Sequence, residues 1–171
     1  MKLHIKGKVI SIHEKMDILD EDDNIVYRVS SKAISLHDKT HIEDAQGNEI
    51  AYIHAKAISI HQVHYVEMAD GETFEIKMKL GHWIKNQFEI EELGWKMIGE
   101  FAAHDYKILD ENGEEIANAH RKWFSLHSIY YLDIHDESKA EKIIATYIVL
   151  EHILSKQEAA AASSSSSSSN S

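Results

Sequence analysis

The sequence predicts a mainly β fold: about twelve short antiparallel strands closed into a barrel around one C-terminal hydrophobic helix. Three observations carry that expectation. A strand-like unit recurs along the chain, a polar turn recurs between its copies, and the one long helical segment has no polar face. Composition agrees with them, because the 171 residues include no proline where usage of roughly 5% would supply about eight. Proline removes a ladder hydrogen bond from any strand it enters, so its absence suits a sheet with few free edges.

The strand unit is Lys8-Val-Ile-Ser-Ile-His13. It recurs as Lys32-Ala-Ile-Ser-Leu-His37, as Lys56-Ala-Ile-Ser-Ile-His61, and later as Lys122-Trp-Phe-Ser-Leu-His127. The first three copies follow one another at intervals of 24 residues, and the fourth begins 66 residues after the third. In Lys32 to His37, Ile34 and Leu36 alternate with Ala33, Ser35 and His37, the period of a strand with one buried face. Between copies lie Asp22-Asp23-Asn24, Gln46-Gly47-Asn48, Asp70-Gly71 and Asn112-Gly113, each ahead of a short alternating run. Such pairs supply the positive φ angles of two-residue hairpin turns. A 24-residue unit then holds about three strands of six residues.

The helix runs from about Lys139 to Lys156, and Ser138 with Glu141 spells a capping box at its start. Ile143-Ile-Ala-Thr-Tyr-Ile-Val-Leu150 is apolar on nearly every side, and Ile153 and Leu154 continue it. A helix apolar all round is buried all round or crosses a membrane, and this one is too short to cross. The inside of a barrel is a place to surround it, with the Ile/Leu face of the strands turned inward. Residues 1–157 form this domain. Residues 158–171, four alanines followed mostly by serines, bury nothing and read as a disordered tail, natural or added for expression.

Composition narrows the function classes. Without cysteine there is no disulfide, zinc–thiolate site, iron–sulfur ligation or thiol nucleophile, and a reducing cytoplasm fits. Hydrophobic residues make up 43% and charged residues 27%, ordinary globular values. The net charge of −11 opposes a nucleic-acid partner and a broadly polybasic membrane surface, while leaving room for a local basic cluster. No signal peptide or transmembrane segment stands out. A cytoplasmic monomer without a cofactor is expected.

Thirteen histidines are an excess, and His13, His37, His61 and His127 close the four repeat units. Strand alternation sends them outward with the serine. They read either as a row of imidazoles that binds metal or answers pH, or as exposed strand-end residues copied with the repeat. The second, plainer account is preferred, and no metal site is assigned. His61 and His64, three residues apart, face opposite sides of a strand. His104-Asp105 could pair a base with its orienter, but no nucleophile elbow accompanies it. Asp20-Glu-Asp22-Asp-Asn24 opens like a calcium loop and then departs, with Ile25 at the glycine position and Ser31 at the bidentate glutamate. It reads as a solvated hairpin turn. Trp83, Phe88, Trp95, Trp123 and Phe124 either pack the barrel or line a binding patch at one of its ends.

The repeated Lys-x-(Ile/Phe)-Ser-(Leu/Ile) units and Asp-x-x-Gly-x-Ile-Ala turns resemble the LURP-one-related proteins, including their bacterial YxjI-type branch, within the wider tubby C-terminal-like group. The segment that matches best is Asp105-Tyr-Lys-Ile-Leu-Asp110, Gly113, Ile116-Ala117, Arg121-Lys-Trp-Phe-Ser125 and Tyr131-Leu-Asp-Ile134, leading into the Ala140–Leu150 helix. The resemblance spans residues 1 to about 156 and implies a twelve-stranded barrel around a central hydrophobic helix. Within the wider group, tubby proteins bind phosphoinositides through a basic pocket, whose cationic residues do not map onto this chain position by position. Scramblase relatives carry a palmitoylated cysteine cluster that this chain lacks. Adjacent Arg121 and Lys122 should face opposite sides of a strand. The function expected is a non-enzymatic binding module that recognises a phospholipid headgroup, small ligand or protein at a barrel end. The alternative is a metal- or pH-responsive protein built on the histidine rows.

Overall fold

The computed structural model describes residues 1–6, 15–34, 37–58, 61–77, 87–124 and 128–166. Its strands are β1 (Lys2–Lys6), β2 (Lys15–Leu19), β3 (Ile25–Ile34), β4 (His37–Asp44), β5 (Glu49–Ile58) and β6 (His61–Met68). They continue with β7 (Thr73–Lys77), β8 (Gln87–Ile90), β9 (Trp95–Glu100), β10 (Asp105–Leu109), β11 (Glu115–Trp123) and β12 (Ser128–Ile134), followed by the helix α1 (Ala140–Ser166). All twelve strands form one sheet in the order β7-β6-β5-β4-β3-β2-β1-β12-β11-β10-β9-β8. The described pairings are antiparallel, and β1 joins β12 through the register Lys2↔Asp133 to Lys6↔Ile129. The two edge strands, β7 and β8, share no ladder among the described residues, so the barrel is nearly closed. At that seam the Glu75 backbone N–H donates to the Glu92 carboxylate at 2.5 Å. A side chain there serves a backbone donor at the sheet edge.

Alternation fills the barrel as expected. Inward positions such as Leu3, Ile5, Ile18, Val29, Ile42, Ile53, Val66 and Ile76 are buried against α1. Every residue of α1 from Ile143 to Leu154 is buried, including Thr146, Glu151 and His152. Apolar surface stabilises by roughly 25 cal/mol per Å² on burial, and this helix offers it on every side.

The 24-residue repeat holds two strands, not three of six residues. β3 and β5 have ten residues each, and β4 and β6 have eight. The Lys-x-Ile-Ser-x-His unit is also divided. Lys32–Ile34 end β3 and His37 opens β4, with Ile34 paired to His37, and Ile58 pairs with His61 in the same way. The polar turns are longer than two residues. Asp20, Asp44 and Asp110 each accept backbone N–H groups two and four residues ahead. The fourth position has positive φ, at Asp23 (64°), Gly47 (86°) and Gly113 (81°), and a register shift lies in each adjoining ladder. This is a type I turn completed by a bulge, in which a left-handed residue restores the strand twist.

The helix entry also differs from the capping box. Asp136 accepts from the Ser138 backbone N–H at 3.1 Å and from the Ser138 hydroxyl at 2.6 Å, ahead of a 3-10 turn over Glu137–Lys139. α1 continues to Ser166, ten residues beyond the expected end at Lys156. Alanine has the highest helix propensity, so the alanine tract extends a helix already nucleated inside the barrel.

Candidate functional site

The strands run alternately up and down, giving the barrel two distinct ends. The turn end holds the aspartate turns and the entry of α1. The exit end holds the points where β3, β5 and β11 end and β4, β6 and β12 begin, with the β9–β10 turn and the point where α1 emerges. Side chains with unusual environments gather at the exit end.

Its centre is His104. A 3-10 turn over Phe101–Ala103 joins β9 to β10 and leaves His104 in the left-handed region at φ 54°, ψ 45°. A non-glycine residue there is uncommon and marks a constrained position. The imidazole is 1% exposed. Its Nδ1 lies 2.5 Å from Glu151 of α1, and its Nε2 lies 3.1 Å from Glu158 of the same helix. The Tyr106 hydroxyl donates to the other Glu151 oxygen at 2.9 Å. Arg121 of β11 donates from Nη1 to Glu158 at 3.1 Å. Its guanidinium lies 4.2 Å from the Trp123 ring centre and 5.8 Å from that of Tyr130. Arg121 Nε is buried and finds no acceptor among the described residues.

Electrostatics follow from these contacts. Burial opposes ionisation of Glu158, but hydrogen bonds from His104 and Arg121 outweigh it and hold the carboxyl below its ordinary range. Burial, reinforced by the Glu151 charge, pushes the Tyr106 and Tyr147 phenols well above theirs. Tyr106 therefore stays a neutral donor. Two carboxylates on one imidazole need an N–H on both ring nitrogens, or a proton on one carboxylate. A buried carboxylate costs several kcal/mol unless so partnered, which is why Glu151 can sit within an apolar helix.

Around this centre the rim is aromatic and cationic. Trp123 is 71% exposed and Phe124 47%. Lys122 turns to the other side of β11, over the Tyr131 ring at 5.0 Å, as alternation requires. The repeat lysines Lys32, Lys56 and Lys122 fall within the last three residues of β3, β5 and β11, while Lys15, Lys39 and Lys77 lie near neighbouring strand ends. Asp38, Glu100 and Asp105 also fall at strand ends on this side. The turn end carries acids in each of its turns, among them Asp20 to Asp23, Asp44, Asp70, Glu91 and Asp110 to Glu111. The net charge of −11 thus hides a polarity from one end to the other.

A second feature lies in the exit half. His64 of β6 and His152 of α1 meet edge to face, ring centres 6.2 Å apart. With Thr40, Ile53, Ile148 and Val149 they line a small, partly open crevice with room for about one water molecule.

The residues singled out in the sequence fall in several different environments. His13, His127 and Trp83 lie outside the described residues, as do the side chains of His37 and His61. The described outward histidines pair with tyrosines across strands, His41 with Tyr52 at 4.8 Å, His54 with Tyr65 at 5.1 Å and His120 with Tyr131 at 4.9 Å. Among the described residues no group of three or more His, Cys, Asp or Glu is positioned to hold a metal ion. His104 has Glu151 and Glu158 as partners instead of Asp105, which faces solvent. Asp20 to Asn24 is a hairpin turn closed by Asp20 itself. Phe88 and Trp95 belong to the core. Glu151 and Glu158 went unnoticed in the sequence, although a lone glutamate within an apolar helix signals a buried partner.

No helix among the described residues is long and apolar enough to cross a membrane. No curated protein matches the chain. An X-ray structure of a protein from Arabidopsis thaliana superimposes with a TM-score of 0.48 at 15% identity, covering 89% of this chain and 91% of that one. A model of the LURP-one-related family matches residues 1–151. With that match over most of its length, and with a twelve-stranded barrel holding a C-terminal helix, the chain belongs to the LURP-one-related family.

Proposed function

We propose that this protein is a non-enzymatic binding module that meets its partner through the exit end of the barrel, and that the partner class is an anionic phospholipid headgroup. The observation that supports it is the coincidence of Trp123 and Phe124, both exposed, with a cationic rim on an otherwise acidic molecule. Exposed tryptophan beside arginine and lysine suits an interface that is apolar on one side and anionic on the other. Local lysines attract such a surface by about 1 kcal/mol each within a Debye length, while the acidic turn end is repelled and orients the molecule. Vesicle flotation tests this. Binding to vesicles containing phosphatidylserine at low salt, lost at high salt and weakened by about tenfold in Trp123→Ala, is expected. No flotation at low salt removes the proposal.

A metal- or proton-responsive protein is a second reading, favoured by the His64–His152 pair at its crevice. Imidazoles suit zinc, nickel and copper. A rise in melting temperature with zinc that disappears in His64→Gln, but survives in His41→Gln, would support it, and an unchanged melting temperature would end it.

A further inference from the structure

We infer that Arg121 and His104 form an oxyanion-binding site, and that Glu158 of the protein's own helix occupies it as an internal stand-in for the ligand. The inference rests on the exit-end reading above and names the atoms that receive the ligand.

One oxygen, Glu158 Oε1, accepts from Arg121 Nη1 at 3.1 Å and lies 3.1 Å from His104 Nε2, which donates to it when both ring nitrogens carry a proton. The donors and the acceptor differ sharply in burial. The His104 side chain is 1% exposed and that of Arg121 6%, whereas the Glu158 side chain is 51% exposed. Glu158 also lies on α1 beyond Leu154, the last of its unbroken run of buried residues. The cationic half of the site is therefore built into the barrel, and the anionic half reaches in from a part of the helix that meets solvent.

The donors are held independently of Glu158. Glu151 fixes the far nitrogen of His104, Tyr106 fixes Glu151, and the left-handed backbone at His104 sets the ring. Such second partners orient a binding imidazole. Trp123 covers one face of the guanidinium, which keeps its N–H fork presented. Departure of Glu158 would leave this arrangement standing. Arg121 also retains donor capacity, because Nε is buried and finds no acceptor among the described residues. A carboxylate oxygen uses one N–H of five, and a phosphate, with more oxygens in a tetrahedral array, engages more of the fork after a small rotation beneath Trp123. The ligand class is therefore a phosphate or carboxylate oxyanion, carried by a lipid headgroup or free in solution.

The test uses the full chain and two kinds of probe: inorganic phosphate and glycerol phosphate by titration calorimetry, and vesicles with or without phosphatidic acid by flotation. Glu158→Gln removes the internal competitor and is expected to bind the probes about two- to fivefold more tightly, the scale of a partly exposed ion pair. Arg121→Lys keeps the charge but loses the fork, and is expected to bind at least about tenfold more weakly. Binding of both soluble phosphates with these two shifts supports a site for free oxyanions. The same shifts seen with vesicles alone support a lipid source. Glu158→Ala, at a half-exposed position, keeps the test usable if Arg121→Lys melts at ordinary temperature. Exit-end binding to vesicles with no gain in Glu158→Gln or Glu158→Ala overturns the inference while leaving the binding surface in place. Absence of binding to every probe overturns both.

Discussion

The two ends of the barrel solve the same problem, turning the chain between antiparallel strands, in opposite ways. At the turn end one local device repeats. An aspartate accepts the N–H groups two and four residues on, the fourth residue takes positive φ, and the ladder shifts by one residue. Each such turn satisfies its own backbone within five residues, and Asp23 and Asp110 reach beyond it to Lys6 and Lys139. At the exit end the decisive contacts are non-local: His104 and Arg121 meet two glutamates of α1 across 37 to 54 residues of sequence, one of them buried and one half exposed. Local turns build a robust base, and the pooled polar network leaves a specific, charged and partly open surface at the other end.

The sharpest way to break this contrast is to remove the buried carboxylate. Glu151→Ala strands His104 and Tyr106 and is expected to cost about 3–5 kcal/mol in urea denaturation, whereas Glu158→Ala on the same helix costs less than about 1 kcal/mol. Equal losses would contradict the division between a buried and an exposed half. Gly99→Ala comes next. Its added Cβ would lie 2.3 Å from the Asp105 carbonyl oxygen and 2.5 Å from Tyr106 Cα, at φ 151°. A loss of about 2–3 kcal/mol is expected, because β9 must move off the strand that carries Tyr106. At the turn end Asp44→Ala should cost only about 1 kcal/mol, and Asp20→Ala should match it, since the same turn recurs; a large disparity in chemical denaturation would show that the turns are not equivalent.

Acid should expose the same contrast. Hydrogen bonds from Asn24 hold the Asp20 carboxyl low, those from Asn48 do the same for Asp44, and those from Ser138 for Asp136. A carboxyl whose folded pKa lies below its unfolded value stabilises the fold above about pH 4 and loses that contribution as pH falls through the folded value. Melting temperature should therefore decline below about pH 4, and Asp44→Asn should flatten part of that decline. The smallest stability effect belongs to Trp123→Ala, within about 0.5 kcal/mol, so that any loss of vesicle binding there does not come from loss of the fold.

The barrel and its inner helix were legible because both depend on short-range patterns: alternation, aspartate and glycine turns, and an apolar run without a polar face. The pattern implies three strands per repeat where the barrel has two longer ones. In Lys32 to His37 the alternation continues in sequence across a hairpin tip, where the chain reverses after Ile34. Alternation alone does not mark where a strand ends. The exit-end site was less legible for a related reason. Arg121 and His104 were visible as residue types, but their partners come from a helix that only the closed barrel brings near. Glu158 looked like the start of a tail because an alanine tract follows it, and nothing local distinguishes a tail from a helix that already has a buried beginning.

The pairing of β1 with β12 has a kinetic consequence. The Met1 amino group donates to the Ile134 carbonyl at 2.7 Å across 133 positions of sequence, so the sheet cannot complete its circuit until nearly the whole domain takes part. Contacts that distant raise contact order and slow folding. The hairpins from β2 to β7 can form early, yet their apolar inner faces stay uncovered until α1 arrives as the last piece. Refolding should be slow and prone to association in that interval, and a chain ending before α1 should collect as aggregated hairpins instead of an empty barrel.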